Sequence, residues 1–102
     1  MRLVITTCLA DKSQQLIDEI LKSKLVACAS KIKVDSKFWW KGKINEGKEF
    51  LIIFKTREEL VDKLFKMIKE KHPYQVPEII EIKVEKVNDE YLKWLKDVTK
   101  GP

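Results

Sequence analysis

Histidine, cysteine and arginine are scarce in this 102-residue chain. It contains one His, two Cys and only two Arg, at positions 2 and 57. The two cysteines, at positions 8 and 28, and the single histidine form no CxxC or HxxxH spacing, so one chain offers only a weak signal for a metal site. Two free thiols are typical of a reduced, cytosolic protein.

Long apolar runs and basic runs are also missing. No stretch is long enough to span a bilayer, and the opening MRLVITTC is too short for the apolar region of a signal peptide. The net charge of +5 is spread over every segment and forms no basic patch of the kind that binds nucleic acid. We therefore expect a cytoplasmic protein that binds neither nucleic acid nor membranes.

The residues that are abundant predict one globular domain over residues 1–102. Hydrophobic residues make up 44% of the chain and charged residues 36%, a balance that excludes a disordered segment. The length suffices to bury one core without a disulfide or a structural metal. Lys and Glu are common while Asn and Gln are few, a composition seen in heat-adapted proteins, so we expect a thermostable chain.

The strongest local pattern is the stretch KFWWKGKINEGKEFLIIFK. It predicts two strands, Lys37–Ile44 and Lys48–Lys55, joined by a turn at Asn45-Glu46-Gly47. Because successive strand residues point to opposite faces, Trp39 and Trp40 cannot enter the same core. We expect one indole in the subunit's own core and the other against a second copy of the chain.

The other elements follow from periodicity and capping residues. We expect a strand at Leu3–Cys8, then a helix with Asp11 or Ser13 as its N-cap, and an extended segment at Lys31–Asp35. Thr56 is predicted to cap a second helix, and that helix ends before a proline. Three further features complete the chain: an edge strand at Ile79–Val87, a last helix capped by Asn88 or Asp89, and a frayed end at Thr99–Pro102.

This order, βαββαβ followed by a helix, predicts an α+β fold. It is the ferredoxin-like two-layer sandwich with an extended β-hairpin and a C-terminal helix, in which two helices cover one face of the sheet. The first and third strands are the most apolar. We expect them side by side and parallel in the centre, with the second and fourth strands outside.

Five segments, LVACA, FWWKGKI, KEFLIIFKT, HPYQVPEII and DEYLKWL, closely resemble the CutA family of divalent-cation tolerance proteins. The resemblance implies a cytoplasmic homotrimer, related in architecture to PII signalling proteins and linked to copper and metal tolerance. It also points to Phe38, Trp39 and Trp40 as trimer-interface residues. Thr6 and Lys71 depart from the pattern, because some members carry Cys and His there.

Cys28 and His72 are the candidate metal ligands. A thiolate binds copper readily, and a neutral imidazole is a common metal ligand. Cys28 also suits a small buried hydrophobe, and His72 suits a cation that caps the end of a helix. We expect modest binding of copper(II), through three copies around a shared site, and no cofactor required for folding.

Lys55, Tyr74 and Glu78 form a second candidate site, a ligand pocket where subunits meet. A lysine, a phenol and a carboxylate can hold a small anion, or can join two chains by a salt bridge and a hydrogen bond. The alternative function is therefore a PII-like regulatory trimer that binds a small anionic ligand. No nucleophile–base pair, phosphate loop or pair of catalytic carboxylates is present, so we expect no enzyme.

Overall fold

The computed structural model describes residues 1–99, which form four strands, three α-helices and a 3₁₀ turn at Glu58–Leu60. The strands are β1 (Arg2–Leu9), β2 (Cys28–Trp40), β3 (Lys43–Thr56) and β4 (Ile79–Lys83). The helices are α1 (Ala10–Lys22), α2 (Val61–Lys71) and α3 (Asp89–Val98). No helix within these residues is long and apolar enough to cross a membrane.

The four strands form one sheet in the order β2-β3-β1-β4, which is the predicted ferredoxin-like arrangement. The central positions of β1 and β3 are confirmed, but their predicted parallel direction is wrong, because every neighbouring pair is antiparallel. Because the chain crosses over through α1, β2 runs parallel to β1. The hairpin then reverses the chain, so β3 runs against both β2 and β1.

The hairpin turns at Lys41 and Gly42, so the predicted turn at residues 45–47 is wrong. Both turn residues have positive φ, 52° and 76°, as a two-residue type I′ turn requires. Asn45 lies inside β3, where its side-chain amide donates to the carbonyls of Trp40 and Lys43 at 3.3 and 3.2 Å. Asn45 therefore supports the turn through its side chain without forming it.

The end of the hairpin projects beyond the rest of the sheet. Strand β1 ends at Leu9, opposite Glu49, while β2 and β3 continue to the pair Trp40 and Lys43. Trp39 and Trp40 lie on opposite faces, as predicted, but they are 72% and 41% exposed. Neither indole enters the core of this chain, because among residues 1–99 β1 ends at Leu9 and no third strand pairs with the end of the hairpin. The expectation of one buried indole is wrong.

Alternation along the strands divides the sheet into a helix-covered face and a helix-free face. The first face carries Val4 and Cys8 on β1 with Ile52 and Phe54 on β3, and all four are fully buried. Apolar positions of α1 and α2 recur at helical spacing and close this core. They are Leu16, Ile17, Ile20, Leu64 and Ile68.

Several boundaries differ from those predicted. Helix α1 begins at Ala10 without a side-chain cap, because the hydroxyl of Ser13 donates to the carbonyl of Ala10 at 3.0 Å. Thr56 does not cap α2; its buried hydroxyl donates to the carbonyl of Leu25 at 2.6 Å. Strand β4 ends at Lys83, earlier than predicted.

The cap of α3 is confirmed at Asn88, whose side chain accepts from the backbone N–H of Glu90. Thr99 is buried, and its hydroxyl donates to the carbonyl of Leu95 at 2.6 Å, so the predicted fraying does not begin there. The rest of that predicted frayed end, residues 100–102, lies outside the described residues.

Candidate functional site

A groove of about 810 Å³ opens between the projecting hairpin and the segment of residues 72–78. The strand residues that line it lie mostly on the helix-free face of the sheet, beyond the end of β1. The lining residues are Thr7, Leu9, Ser36, Phe38, Trp39, Trp40, Asn45, Glu46, Gly47, Glu49, Tyr74, Gln75, Val76 and Glu78.

Glu49 lies at the inner end of the groove and is only 6% exposed. The hydroxyl of Tyr74 donates to its Oε2 at 2.5 Å and joins the 72–78 segment to β3. Burial, together with this hydrogen bond to Glu49, raises the pKa of the Tyr74 phenol. The phenol therefore remains a proton donor, and the carboxylate is held in a fixed position.

His72 anchors the beginning of the same segment. Its Nε2 lies 2.8 Å from the carbonyl of Thr7, and its Nδ1 accepts the backbone N–H of Tyr74 at 3.1 Å. These partners define a neutral tautomer that donates from Nε2. Burial lowers the pKa of His72, since the charged form would lose solvation. The imidazole thus fixes the loop with both of its nitrogens.

Cys8 lies beneath this region, on β1. It is fully buried in the core, and burial with the nearby charge of Glu49 raises the pKa of its thiol to about 11. A thiol with so high a pKa is protonated at neutral pH and is a poor nucleophile. Cys8 is therefore a core residue of β1, within the predicted strand Leu3–Cys8.

Cys28, Lys55 and Ser30 form a separate cluster at the other end of the sheet. Cys28 and Lys55 are direct partners across β2 and β3, and the ammonium of Lys55 lies 3.7 Å from the thiol sulfur of Cys28. The same ammonium donates to the hydroxyl of Ser30. Both cysteines are free thiols.

The structure brings some predicted site residues together and separates others. Tyr74 and Glu78 line the same groove, whereas Lys55 lies six residues from Glu49 along β3, roughly 20 Å away. Cys28 pairs with Lys55, and His72 contacts Thr7, whose β3 partner is Leu51. Along the strands, Cys28 and Thr7 are thus offset by four residues, about 13 Å, and they lie on opposite sides of β3, so one chain does not bring Cys28 and His72 together.

The charge of the groove is negative. Its lining includes Glu46, Glu49 and Glu78 but no Lys, Arg or His. Glu46 is paired with Lys37 at 3.2 Å. Within residues 1–99, no three His, Cys, Asp or Glu side chains are grouped closely enough to hold a metal ion. The groove of one chain therefore suits a positively charged ligand better than an anion.

The comparisons with known proteins cover almost the whole chain. Residues 2–98 match the family model described as CutA1 divalent ion tolerance protein. A divalent-cation tolerance protein CutA from Pyrococcus horikoshii is 47% identical over 90 residues, which is 88% of this chain and 88% of that relative.

Two solved structures support the same assignment. CutA1 from Pyrococcus horikoshii superimposes with a TM-score of 0.94 at 44% identity, covering 98% of this chain and 99% of that one. The PII-like protein CutA from Nostoc sp. PCC 7120, in apo form, gives a TM-score of 0.95 at 25% identity, and the whole of each chain is covered.

Proposed function

The chain belongs to the CutA1 family of divalent ion tolerance proteins, and from this membership we propose that it is a non-enzymatic trimer that binds copper(II) and other divalent ions modestly. The observation that carries the trimer is the exposed apolar character of the helix-free face. The proposed copper ligands, Cys28 and His72, lie outside the acidic groove.

The support for a trimer is the apolar character of the helix-free face. Three isoleucines on it, Ile32, Ile80 and Ile82, are 56%, 44% and 43% exposed in the single chain. Their register partners Leu51, Ile5 and Leu3 extend the same surface. An apolar area of this kind is typical of an assembly surface. On this proposal the exposed Phe38, Trp39 and Trp40 of the hairpin contact neighbouring subunits.

Cys28 and His72 remain the proposed copper ligands, and their surroundings support a modest affinity. Lys55 places a positive charge 3.7 Å from the Cys28 sulfur. A metal ion at His72 would have to displace one of the two hydrogen bonds of its ring. Copper(II) is preferred over zinc(II) and magnesium(II) at almost any such site. We expect a micromolar rather than a nanomolar dissociation constant.

Titration calorimetry with Cu(II), Zn(II) and Mg(II) tests this proposal. We expect copper to bind most tightly, and Cys28→Ser or His72→Ala to weaken it by at least tenfold. Glu70→Gln, an exposed change on α2, is the control for loss of one negative charge. Copper binding that is equal in wild type and in both variants would exclude both residues as ligands, and metal tolerance would then have to act indirectly.

The second candidate is a PII-like regulatory trimer that binds a small anion at the subunit junctions. The likeness to the PII-like CutA from Nostoc favours it. The negative charge of the groove opposes it, because the anion would need cations supplied by Lys55 or by another subunit. Thermal-shift measurements of the protein with nucleotides and, separately, with metal ions distinguish the two functions. A specific ligand raises the midpoint of thermal unfolding by mass action.

We also propose a cytoplasmic location and a thermostable chain. The first rests on two free cysteines, which suit a reducing compartment. The second rests on the Lys- and Glu-rich composition and on a small ion-pair network, in which Arg2 contacts Glu58 and Glu81 at 3.0 and 3.3 Å.

A further inference from the structure

Only three charged residues occupy strand positions on the helix-free face of the described chain. By register, this face carries the odd-numbered residues of β1 and β3 and the even-numbered residues of β2 and β4. Its charged members are Lys43, Glu49 and Lys55, all on β3. Six residues, about 20 Å along the strand, separate Glu49 from each lysine, so neither lysine reaches it within one chain.

Two of these three charges are withdrawn from solvent and lack an opposite charge. Glu49 is 6% exposed and accepts the neutral hydroxyl of Tyr74. Lys55 is half-buried, and its ammonium contacts the Ser30 hydroxyl and the Cys28 sulfur. None of the ion pairs in the part of the chain that the structure describes includes Glu49 or Lys55. An interface that buried either charge without a partner would remove its solvation at a high cost.

These two charges lie at opposite ends of the same apolar face. Glu49 lies at the hairpin end, in the acidic groove, and Lys55 lies at the other end, where β2 begins at Cys28. In a closed ring with head-to-tail contacts, one surface of each chain meets a different surface of the next. A ring in which the hairpin end of one chain covers the opposite end of its neighbour brings the acidic groove against a held ammonium group. Opposite charges of this kind fix the register of an interface.

Lys43 suits the role of counter-ion less well than Lys55. It is exposed near the tip of the hairpin, next to the turn at Lys41 and Gly42. An exposed ammonium group keeps its water and gains little from a carboxylate. Lys55 is half-buried on the face that the proposed trimer covers, so it is the lysine of this face that needs an anion in the assembly.

We propose that Glu49 of one subunit pairs with Lys55 of the next, so that a neighbouring chain completes the groove. The pair repeats three times around the ring. It joins Lys55 to the groove residues Tyr74 and Glu78, from which it is remote within one chain. It also brings Cys28 of the neighbour to this junction, because Cys28 and Lys55 are register partners. This inference rests on the proposed trimer and names the contact that orients it.

Light scattering over a dilution series tests the pair through a double-mutant cycle. At a fixed urea concentration that weakens the trimer, the measured quantity is the chain concentration at which half of the trimer dissociates. Glu49→Gln and Lys55→Met should each raise that concentration by about tenfold or more, because each leaves one buried charge unpaired. The double variant removes both charges and should raise it no further than the more damaging single change. Glu49→Gln combined with Lys43→Met is the matched control, in which the two effects should multiply.

Multiplying effects of Glu49→Gln and Lys55→Met in a folded trimer, or coupling of Glu49 to Lys43 instead, would overturn the pair alone. A monomeric wild type would overturn the proposed trimer together with the pair, so the two failures are distinguishable. Should Glu49→Gln not fold, Lys55→Glu replaces it. Facing carboxylates should then reduce the mass to that of one chain, while Lys43→Glu should leave three chains. A Lys55→Glu variant that remains a trimer would also overturn the proposal.

Discussion

Tyr74 and Glu49 illustrate how one hydrogen bond positions a loop. The phenol of Tyr74 donates to the carboxylate of Glu49, which is only 6% exposed. Loss of the Tyr74 hydroxyl would leave the buried carboxylate without its hydrogen-bond donor. We expect Tyr74→Phe to reduce the free energy of unfolding by about 2 kcal/mol, the usual range for a hydrogen bond to a charged group. Chemical denaturation of the variant and of wild type measures the difference.

Tyr91→Phe is the matched control for that measurement. Tyr91 is 36% exposed on α3, and its hydroxyl makes no hydrogen bond within residues 1–99. The same chemical change there should alter stability by less than about 0.5 kcal/mol. Equal effects of the two substitutions would show that the Tyr74 hydroxyl contributes nothing specific.

His72 makes stability depend on pH in a predictable direction. Its pKa in the folded chain is lowered from the ordinary 6.5 by burial. The unfolded chain therefore takes up a proton near pH 6.5 that the folded chain does not, and stability falls as the pH drops through that range. At a pH well above 6.5 the histidine is neutral in both states, and this contribution is constant.

Replacing the only histidine by glutamine isolates this effect. Between pH 7 and pH 5, we expect the free energy of unfolding of wild type to fall more steeply than that of His72→Gln, by up to about 1.4 kcal/mol per pH unit. Denaturant titrations at several pH values provide the comparison. Parallel pH profiles for the two proteins would contradict a lowered pKa at His72.

The residues of the groove were only partly predictable from the sequence. The HPYQVPE segment points to Tyr74 and Glu78. The sequence does not predict the burial of Glu49, since a glutamate beside an apolar strand segment is ordinarily a solvent-facing residue. Its burial depends on a tyrosine 25 positions later, a contact that no local pattern encodes. The only indication of a buried carboxylate in the sequence is the position of Glu49 directly before the apolar run FLIIF.

At the scale of elements, the two glycines of the hairpin have different roles. Gly42 has a φ of 76° with no atom within 4 Å of an added Cβ, so Gly42→Ala should cost about 1 kcal/mol through backbone strain alone. At Gly47, the added Cβ would lie 3.7 Å from the Phe38 ring, an ordinary contact. Gly47→Ala should therefore be neutral or stabilising by up to about 1 kcal/mol.

Thermal or chemical unfolding of these two alanine variants locates the turn by experiment. A turn at residues 45–47 requires the opposite result, in which Gly47→Ala is the destabilising change. The sequence suggested that position because Asn and Gly lie close together there. The side chain of Asn45, however, hydrogen-bonds the true turn from within β3.

The order of the elements was well predicted, because apolar periodicity reports burial directly. Strand β1, both main helices and the Asn88 cap follow from such local patterns. The direction of β3 relative to β1 was not predicted correctly, since strand direction depends on the path of the whole chain. The cap at Thr56 failed because its hydroxyl has a distant partner, the carbonyl of Leu25.

At the scale of the whole molecule, the helix-free face predicts assembly. Light scattering at micromolar concentration should give three times the 12.0 kDa of one chain. Ile80→Lys should reduce this mass, because the residue is 44% exposed in one chain and would be buried in the proposed trimer. Leu21→Lys, at a 38% exposed site on α1, should leave the mass unchanged. A monodisperse wild-type monomer would contradict the trimer.

The pairing order of the sheet also sets an order of folding. Strands β2 and β3 are joined by two residues, so they can pair within microseconds without waiting for the rest of the chain. The pairing of Arg2 with Lys83 closes a loop of about 80 residues and is entropically far more costly. We therefore expect the β2–β3 hairpin to form first and β4 to pair with β1 late. Trp39 and Trp40 at the end of the hairpin are then exposed to incorrect association throughout refolding.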